Sequence, residues 1–156
     1  MESAPVRLRL LLPNIRSLWN VGSMFRSADA FGVEYVHLAG YTGTPPRKEI
    51  AKTALGAEAW VPWDHHADPV EIADKLLADG WRLVALELTP DAVPLPELPP
   101  APKTCVVVGH ELSGVEPELM KRCAAKAKIP MGGLKESLNV SVATGIALYQ
   151  LRCVSR

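Results

Sequence analysis

The sequence predicts an α/β fold: one parallel sheet with helices on both faces, in a single domain. Three observations point to it. Short apolar, strand-like runs alternate with stretches of helical periodicity along all 156 residues. Three of the strand ends run into polar, glycine- or asparagine-bearing loops that open helices, the arrangement in which parallel sheets place ligands beyond the carboxyl ends of their strands. The length also suits one domain, and a chain of this size buries roughly 70% of its extended surface, enough for a core without metals or disulfides.

Arg7 to Leu12 is a leucine-rich run ended by Pro13, which suits a buried strand. A helix is expected from about Asn20 to Phe31, since Val21, Met24, Phe25, Ala28 and Phe31 recur at helical spacing and Gly32 follows; Asn20 is its candidate N-cap. Glu34 to Leu38 reads as a second strand, and Thr44-Pro-Pro as the start of a helical piece closed by Gly56. Asp68-Pro-Val-Glu71 combines an N-cap, a proline at the first helical position and a capping-box acid ahead of a helix ending at Gly80. Trp81 to Leu88 is the next strand. Between Pro90 and Pro102 six prolines fall in thirteen residues, a stiff crossover or lid rather than a domain boundary. Thr104 to Val108 is a β-branched strand, Val115 to Arg122 a short helix, and Lys126 to Ile129 the last strand. The closing helix runs from about Val140 to Cys153, with Val140, Ala143, Thr144, Ala147, Leu148 and Leu151 on one stripe.

Composition excludes several classes. With 48% hydrophobic and 22% charged residues the chain is ordinary and globular, not disordered. Lys plus Arg and Asp plus Glu both number 17, so there is no bulk electrostatic pull on nucleic acid, and any RNA contact must come from a local patch. Cys105, Cys123 and Cys153 are widely spaced without a CxxC pair, which argues for reduced thiols and a soluble cytoplasmic protein. No apolar stretch approaches a membrane span. His65-His66 lacks a third ligand at helical or hairpin spacing, so no metal is expected.

Ile129-Pro-Met-Gly-Gly-Leu-Lys-Glu-Ser-Leu-Asn-Val-Ser-Val142 is the most informative stretch, a strand end that runs through a polar loop into a helix. That join leaves unpaired backbone groups, with Ser137, Asn139 and Ser141 supplying polar groups and Ile129, Met131 and Leu138 an apolar wall. Two other loops can converge on it. In Asn14 to Arg26, Arg26 sits in an otherwise small or apolar helix, either beside a large partner or in an ion pair with Asp29. In Gly109-His-Glu-Leu-Ser-Gly114, the glycines let backbone approach a ligand and Glu111 adds a carboxylate; the alternative is a plain turn with a solvated acid. His110 is either a general base or a structural histidine. GxGxxG, Walker and GxSxG motifs are all missing, which removes the common dinucleotide, phosphoryl-transfer and serine hydrolase readings.

Together, Asn20-Val-Gly-Ser-Met-Phe-Arg26 with Ala28 to Gly32, Gly109 to Gly114, and Ile129 to Ser141 resemble, in order and spacing, the three motifs of the SpoU/TrmH family of RNA ribose 2′-O-methyltransferases. The resemblance implies a SPOUT-type α/β domain with a C-terminal trefoil knot, which general topology rules would not suggest. It implies S-adenosylmethionine as cofactor, with Leu88, Thr89, Gly109, Ile129, Met131, Ser137 and Leu138 around it. It also implies Arg26 as the main catalytic residue, oriented with the ribose by Asn20, Glu111, Ser137 and Asn139, and a homodimer whose sites use both copies, with the helices near Gly22 and Gly145 as interface candidates.

The match begins near Val6 and stops soon after the last motif helix, so the chain resembles the minimal kind of family member, without an appended RNA-binding domain. Arg16, Arg47, Lys48 and Lys52 are then the candidate RNA-binding residues, although a solvated helix face accounts equally well for the last three. Transfer RNA is the first expected substrate and ribosomal RNA the second. Two alternatives stay open: methylation of a different nucleophile, and a catalytically silent RNA-binding factor on the same fold.

Overall fold

The computed structural model describes residues 5–154. Seven strands form one sheet in which every pairing is parallel, in the order β3-β2-β1-β6-β4-β7-β5. The strands are β1 (Arg7–Pro13), β2 (Tyr35–Ala39), β3 (Trp63–His66), β4 (Arg82–Leu86), β5 (Val93–Pro94), β6 (Lys103–Val108) and β7 (Ala125–Lys128). The helices are α1 (Leu18–Ala30), α2 (Lys48–Ala54), α3 (Pro69–Ala78), α4 (Pro117–Met120) and α5 (Val140–Val154).

Central strands of a parallel sheet are buried on both faces, which is why β1 and β6 end in unbroken apolar runs, Leu10 to Leu12 and Cys105 to Val108. Leu10 and Leu12 point into a cluster with Val21, Met24 and Phe25 of α1, Ile50 of α2 and Leu148 of α5. Leu11, between them, points the other way, into a cluster with Ile72, Ala73 and Leu76 of α3 and Leu119 of α4. Helices therefore cover both faces, as expected. Inside the molecule α1 lies so close to α2 that a Cβ at Gly22 would collide with the Ile50 carbonyl and the Thr53 hydroxyl. Gly22 itself thus serves packing within the chain.

Several local expectations are corrected. Ser17, not Asn20, caps α1: its backbone is extended and its hydroxyl accepts the Asn20 N–H at 3.2 Å. Thr44-Pro-Pro does not open a helix, because prolines push the residues before them to extended backbone, and α2 starts only at Lys48. The short helix after β6 is confined to Pro117–Met120. Two strands escaped the sequence reading. β3 is an edge strand whose Trp-Asp-His-His carries no apolar run, and β5 is a two-residue strand hidden among prolines. The proline-rich crossover is not a loose lid, since it buries Leu95 and Leu98 in a cluster with Val84 and with Ala147 of α5. The Asp68 cap and Pro69 of α3 stand where the sequence put them. Among the described residues no helix is long and apolar enough to cross a membrane.

Candidate functional site

The chain builds β1, β2 and β3 outward in one direction and then returns to place β6, β4 and β7 on the other side of β1. Beyond the carboxyl ends of those last three strands lies a cavity of about 370 Å³, within the range of small-molecule sites. Its walls come from Leu86–Leu88 after β4, Gly109–Leu112 after β6, and the run from Ala127 through Asn139 after β7. The sequence segments singled out for their polar loops thus meet in one place.

The loops are tied together by carboxylates. Glu111 accepts the backbone N–H of Ser17 at 3.2 Å and of Arg16 at 3.4 Å, joining the turn after β6 to the entrance of α1. Burial pushes its carboxyl up, but its own backbone N–H and those of Ser17 and Arg16 more than offset this, leaving it below the ordinary glutamate value. Glu87, at the end of β4, accepts the Val115 N–H at 3.1 Å. It lies so close to Gly114 that a Cβ there would strike its carboxylate, and Gly114 holds φ +73°, a conformation that favours glycine. A Cβ at Gly109 would stand 3.0 Å from the Gly114 backbone, so two glycines close this turn against itself.

His110 Nδ1 accepts the N–H groups of Leu112 and Ser113 at 3.1 and 3.2 Å. The lone pair that a general base would use is therefore turned into its own loop, and the structural reading of His110 prevails. Asn139, just before α5, accepts from the Ser141 N–H at 2.8 Å and hydroxyl at 2.6 Å, capping the helix. Its amide reaches Asn20 Oδ1 at 3.4 Å, which joins the first and last loops.

Of the residues expected around a cofactor, Leu88, Gly109, Ile129, Met131, Ser137 and Leu138 line the cavity. Thr89 is not among its lining residues; its hydroxyl donates to Asp91 at 2.7 Å. With Lys126 on the other oxygen at 2.8 Å, that contact holds the Asp91 carboxyl down to about 2, Lys126 having the larger effect and Thr89 the next. Asn20, Glu111, Ser137 and Asn139 also line the cavity. Arg26 does not. It is exposed, and with Ser23, Lys52, Ser141 and Tyr149 it lines a separate depression between α1 and α5. The expected alternative partner is engaged elsewhere, because Asp29 accepts the Trp60 indole N–H at 2.7 Å, and no Arg26–Asp29 ion pair forms among the described residues.

The candidate basic patch splits. Lys52 lies beside Arg26, with its ammonium 5.7 Å from the Trp19 ring, whereas Arg47 and Lys48 line a different hollow with Pro45, Pro46 and Trp63. The side chain of Arg16 is exposed, although its backbone is held by Glu111. Glu87, Lys128 and Glu136 also line the cavity and were missed, since a single acid or lysine beside a strand reads as solvated. Three carboxylates, from Glu87, Glu111 and Glu136, stand against the one ammonium of Lys128 in the cavity lining.

A parallel α/β sheet with a cavity formed by three loops at its carboxyl edge, and a glycine turn at the cavity wall, is the arrangement of a small-molecule-binding α/β protein. Residues 7–149 match the SpoU rRNA Methylase family, and the chain belongs to it. The tRNA (guanosine(18)-2′-O)-methyltransferase of Aquifex aeolicus is 33% identical over 150 residues, covering 96% of this chain and 71% of that protein. The crystal structure of an AdoMet-bound rRNA methyltransferase from Sinorhizobium meliloti superposes with a TM-score of 0.89 at 26% identity, covering 99% of this chain and 59% of that one. A structure titled for the 2-OH methylation of C/U34 on tRNA superposes with a TM-score of 0.81 at 27% identity, covering 98% of this chain and all (100%) of that one. The chain thus spans about three-fifths of the Sinorhizobium protein.

Proposed function

We propose that this protein transfers the methyl group of S-adenosylmethionine to a ribose 2′-hydroxyl of RNA, transfer RNA first and ribosomal RNA second, and does so as a homodimer with composite sites. The observation that carries the proposal is the cavity itself, lined by residues of all three sequence motifs. It suits the cofactor: backbone and small polar groups line it together with the apolar side chains of Ile129, Met131 and Leu138, and the carboxylates of Glu87, Glu111 and Glu136 would offer partners to the positive charges of the cofactor. A trefoil knot formed by the loops between β6 and α5 is part of this reading.

The cofactor supplies an electrophilic methyl group on a sulfonium. With the cofactor bound, the acceptor hydroxyl would take that methyl group, the carbon–sulfur bond would break in the same exchange, and the hydroxyl proton would pass to solvent. What the protein must add is alignment and a positive group beside the oxygen; alignment alone contributes roughly 7 to 11 kcal/mol when the geometry is near attack. Arg26 is that group. A guanidinium is not deprotonated in proteins, so it acts as a fixed cation that holds phosphate or ribose oxygen and stabilises developing alkoxide, not as a base.

Arg26 lies outside the cavity of its own chain, which favours delivery to the cavity of a second copy. The face beside it fits that purpose. Val142, Ile146 and Tyr149 project from α5 at helical spacing and are 50%, 41% and 56% exposed, next to the small residues Ser27 and Gly145. Lys52 extends the positive edge of the same depression toward an RNA backbone.

Incubation with radiolabelled cofactor and unmodified tRNA, and separately with unmodified rRNA, then digestion and nucleoside analysis, is expected to give a 2′-O-methylated nucleoside. Label in a base or in protein, or none in either RNA, overturns the proposal. Composite sites have their own test, in which an Arg26→Ala protein is mixed with one whose cavity is blocked by Leu138→Arg. Each is expected to be inactive alone and active when mixed, because one mixed site holds an intact cavity and an intact guanidinium. A mixture that stays inactive while mixed dimers form shows that Arg26 serves its own cavity.

A further inference from the structure

At the far edge of the sheet, away from the cavity walls, the imidazoles of His37 and His66 converge on the carboxylate of Asp64. His37 in β2 and Asp64 in β3 are register partners, and His66, two residues on, projects from the same face. His37 Nδ1 stands 2.7 Å from one Asp64 oxygen and His66 Nε2 stands 3.0 Å from the other, and the three donor atoms lie within 4.8 Å of one another. The geometry points to a binding site here for a borderline divalent cation of the zinc type, held by His37 Nδ1, Asp64 and His66 Nε2.

Two imidazoles and one carboxylate are a donor set that zinc favours, and its bonds of about 2.0 to 2.1 Å at tetrahedral angles place neighbouring donors about 3.3 Å apart. The His66 contact to Asp64 needs to open by about 0.3 Å and the His37 contact by about 0.6 Å. Asp64 has room to do so, since its side chain is 36% exposed, and that opening leaves a fourth position for water.

A second observation is independent of the clustering. His66 Nε2 is buried as an atom yet has no hydrogen-bond partner among the described residues, because its approach to Asp64 has the distance but not the alignment of a hydrogen bond. A buried nitrogen without a partner costs free energy that a bound cation would remove. The surroundings also hold the ligands in place. Tyr35 stacks on the His37 ring with centroids 4.9 Å apart. Arg9 Nη1 touches His37 Nε2 only at 3.4 Å, while its Nη2 reaches Glu34 at 3.5 Å and its guanidinium lies over the Trp81 and Tyr35 rings. When Nδ1 binds a cation, Nε2 carries the ring proton and this long contact is given up. His65 is not a ligand, since its Nε2 lies 2.9 Å from the Gly40 carbonyl. A bound ion would clamp the edge strand β3 to β2.

The test uses the full chain, stripped with a chelator and titrated with cobalt(II) followed by visible absorption, then with zinc in competition. Expected are one cobalt ion per chain, d–d bands without a thiolate charge-transfer band, and a rise in Tm with zinc. His66→Gln and the isosteric Asp64→Asn are each expected to weaken binding about tenfold or more and to abolish the rise in Tm. S-adenosylmethionine affinity, measured by calorimetry, serves as the check that both variants are folded. Absence of saturable binding up to about 1 mM cobalt overturns the proposal. So does a thiolate band, which would put the ion on a cysteine, or affinity unchanged in both variants.

Discussion

Asn139 donates its side-chain amide to Asn20 Oδ1 at 3.4 Å across a sequence separation of 119 residues, and in doing so links the entrance of α1 to the entrance of α5. The two residues carry different loads. Asn139 also caps α5 through Ser141, whereas Asn20 lies inside a helix that Ser17 caps. Asn139→Ala is expected to lower stability by about 1 kcal/mol through loss of the cap. Asn20→Ala is expected to cost less than about 0.5 kcal/mol, as side chains without such a role do. Both should reduce methyl transfer. Denaturant unfolding read beside initial rates checks the split, and equal stability losses would contradict it.

Arg26 is the sharpest test of mechanism. Arg26→Ala is expected to lower methyl transfer about 100-fold or more while leaving cofactor affinity within about twofold, because the proposed partner of the guanidinium is the phosphate or ribose oxygen of the RNA and not the cofactor. Arg26→Lys keeps the charge and loses the planar fork, and is expected to stay close to the alanine variant in rate. Substantial transfer by the lysine variant would mean that charge alone suffices, and a large loss of cofactor affinity in the alanine variant would put Arg26 in the cofactor pocket.

The division between what the sequence disclosed and what it hid follows the range of the forces. Asp68-Pro69 at the start of α3, the buried runs of β1 and β6, and the three loops of the cavity are local signals, and the structure has them where they were read. β3 was invisible because an edge strand needs no apolar run, and its Asp64 and His66 meet His37 only through the ladder, in which His37 is the register partner of Asp64, 27 residues on. The His65-His66 dipeptide lacked a third ligand for the same reason. Glu87 reads as one more solvated acid until β4 brings it to the Gly109–Gly114 turn. Thr89 was placed by resemblance, and a nearby aspartate claimed its hydroxyl instead.

Glu111 makes the tie between the glycine turn and α1 sensitive to acid. Its folded-state pKa is lowered, so the folded protein binds its proton less readily than the unfolded chain does. The stabilisation is fully present above the ordinary glutamate value of about 4.3 and is lost as pH falls through the lower, folded-state value. Unfolding followed from pH about 6 down to about 3 is expected to show a steeper loss of stability for the wild type than for Glu111→Gln, which cannot ionise. Parallel curves would show that the carboxylate contributes nothing through those two N–H groups.

Gly114 and Glu87 form a pair in which each limits the other. Gly114→Ala meets two penalties, a side chain in the positive-φ region and a collision with the Glu87 carboxylate, and is expected to cost roughly 1 to 3 kcal/mol. Because the same turn walls the cavity, S-adenosylmethionine affinity should fall by about tenfold, or about 1.4 kcal/mol. Glu87→Gln keeps an oxygen for the Val115 N–H and should change stability by less than about 0.5 kcal/mol, whereas Glu87→Leu orphans that donor and should cost about 1 to 3 kcal/mol. Calorimetric titration of each variant with the cofactor, beside its unfolding curve, separates the two effects. If Gly114→Ala is destabilised yet binds the cofactor as tightly as the wild type, the turn supports the fold without cradling the ligand.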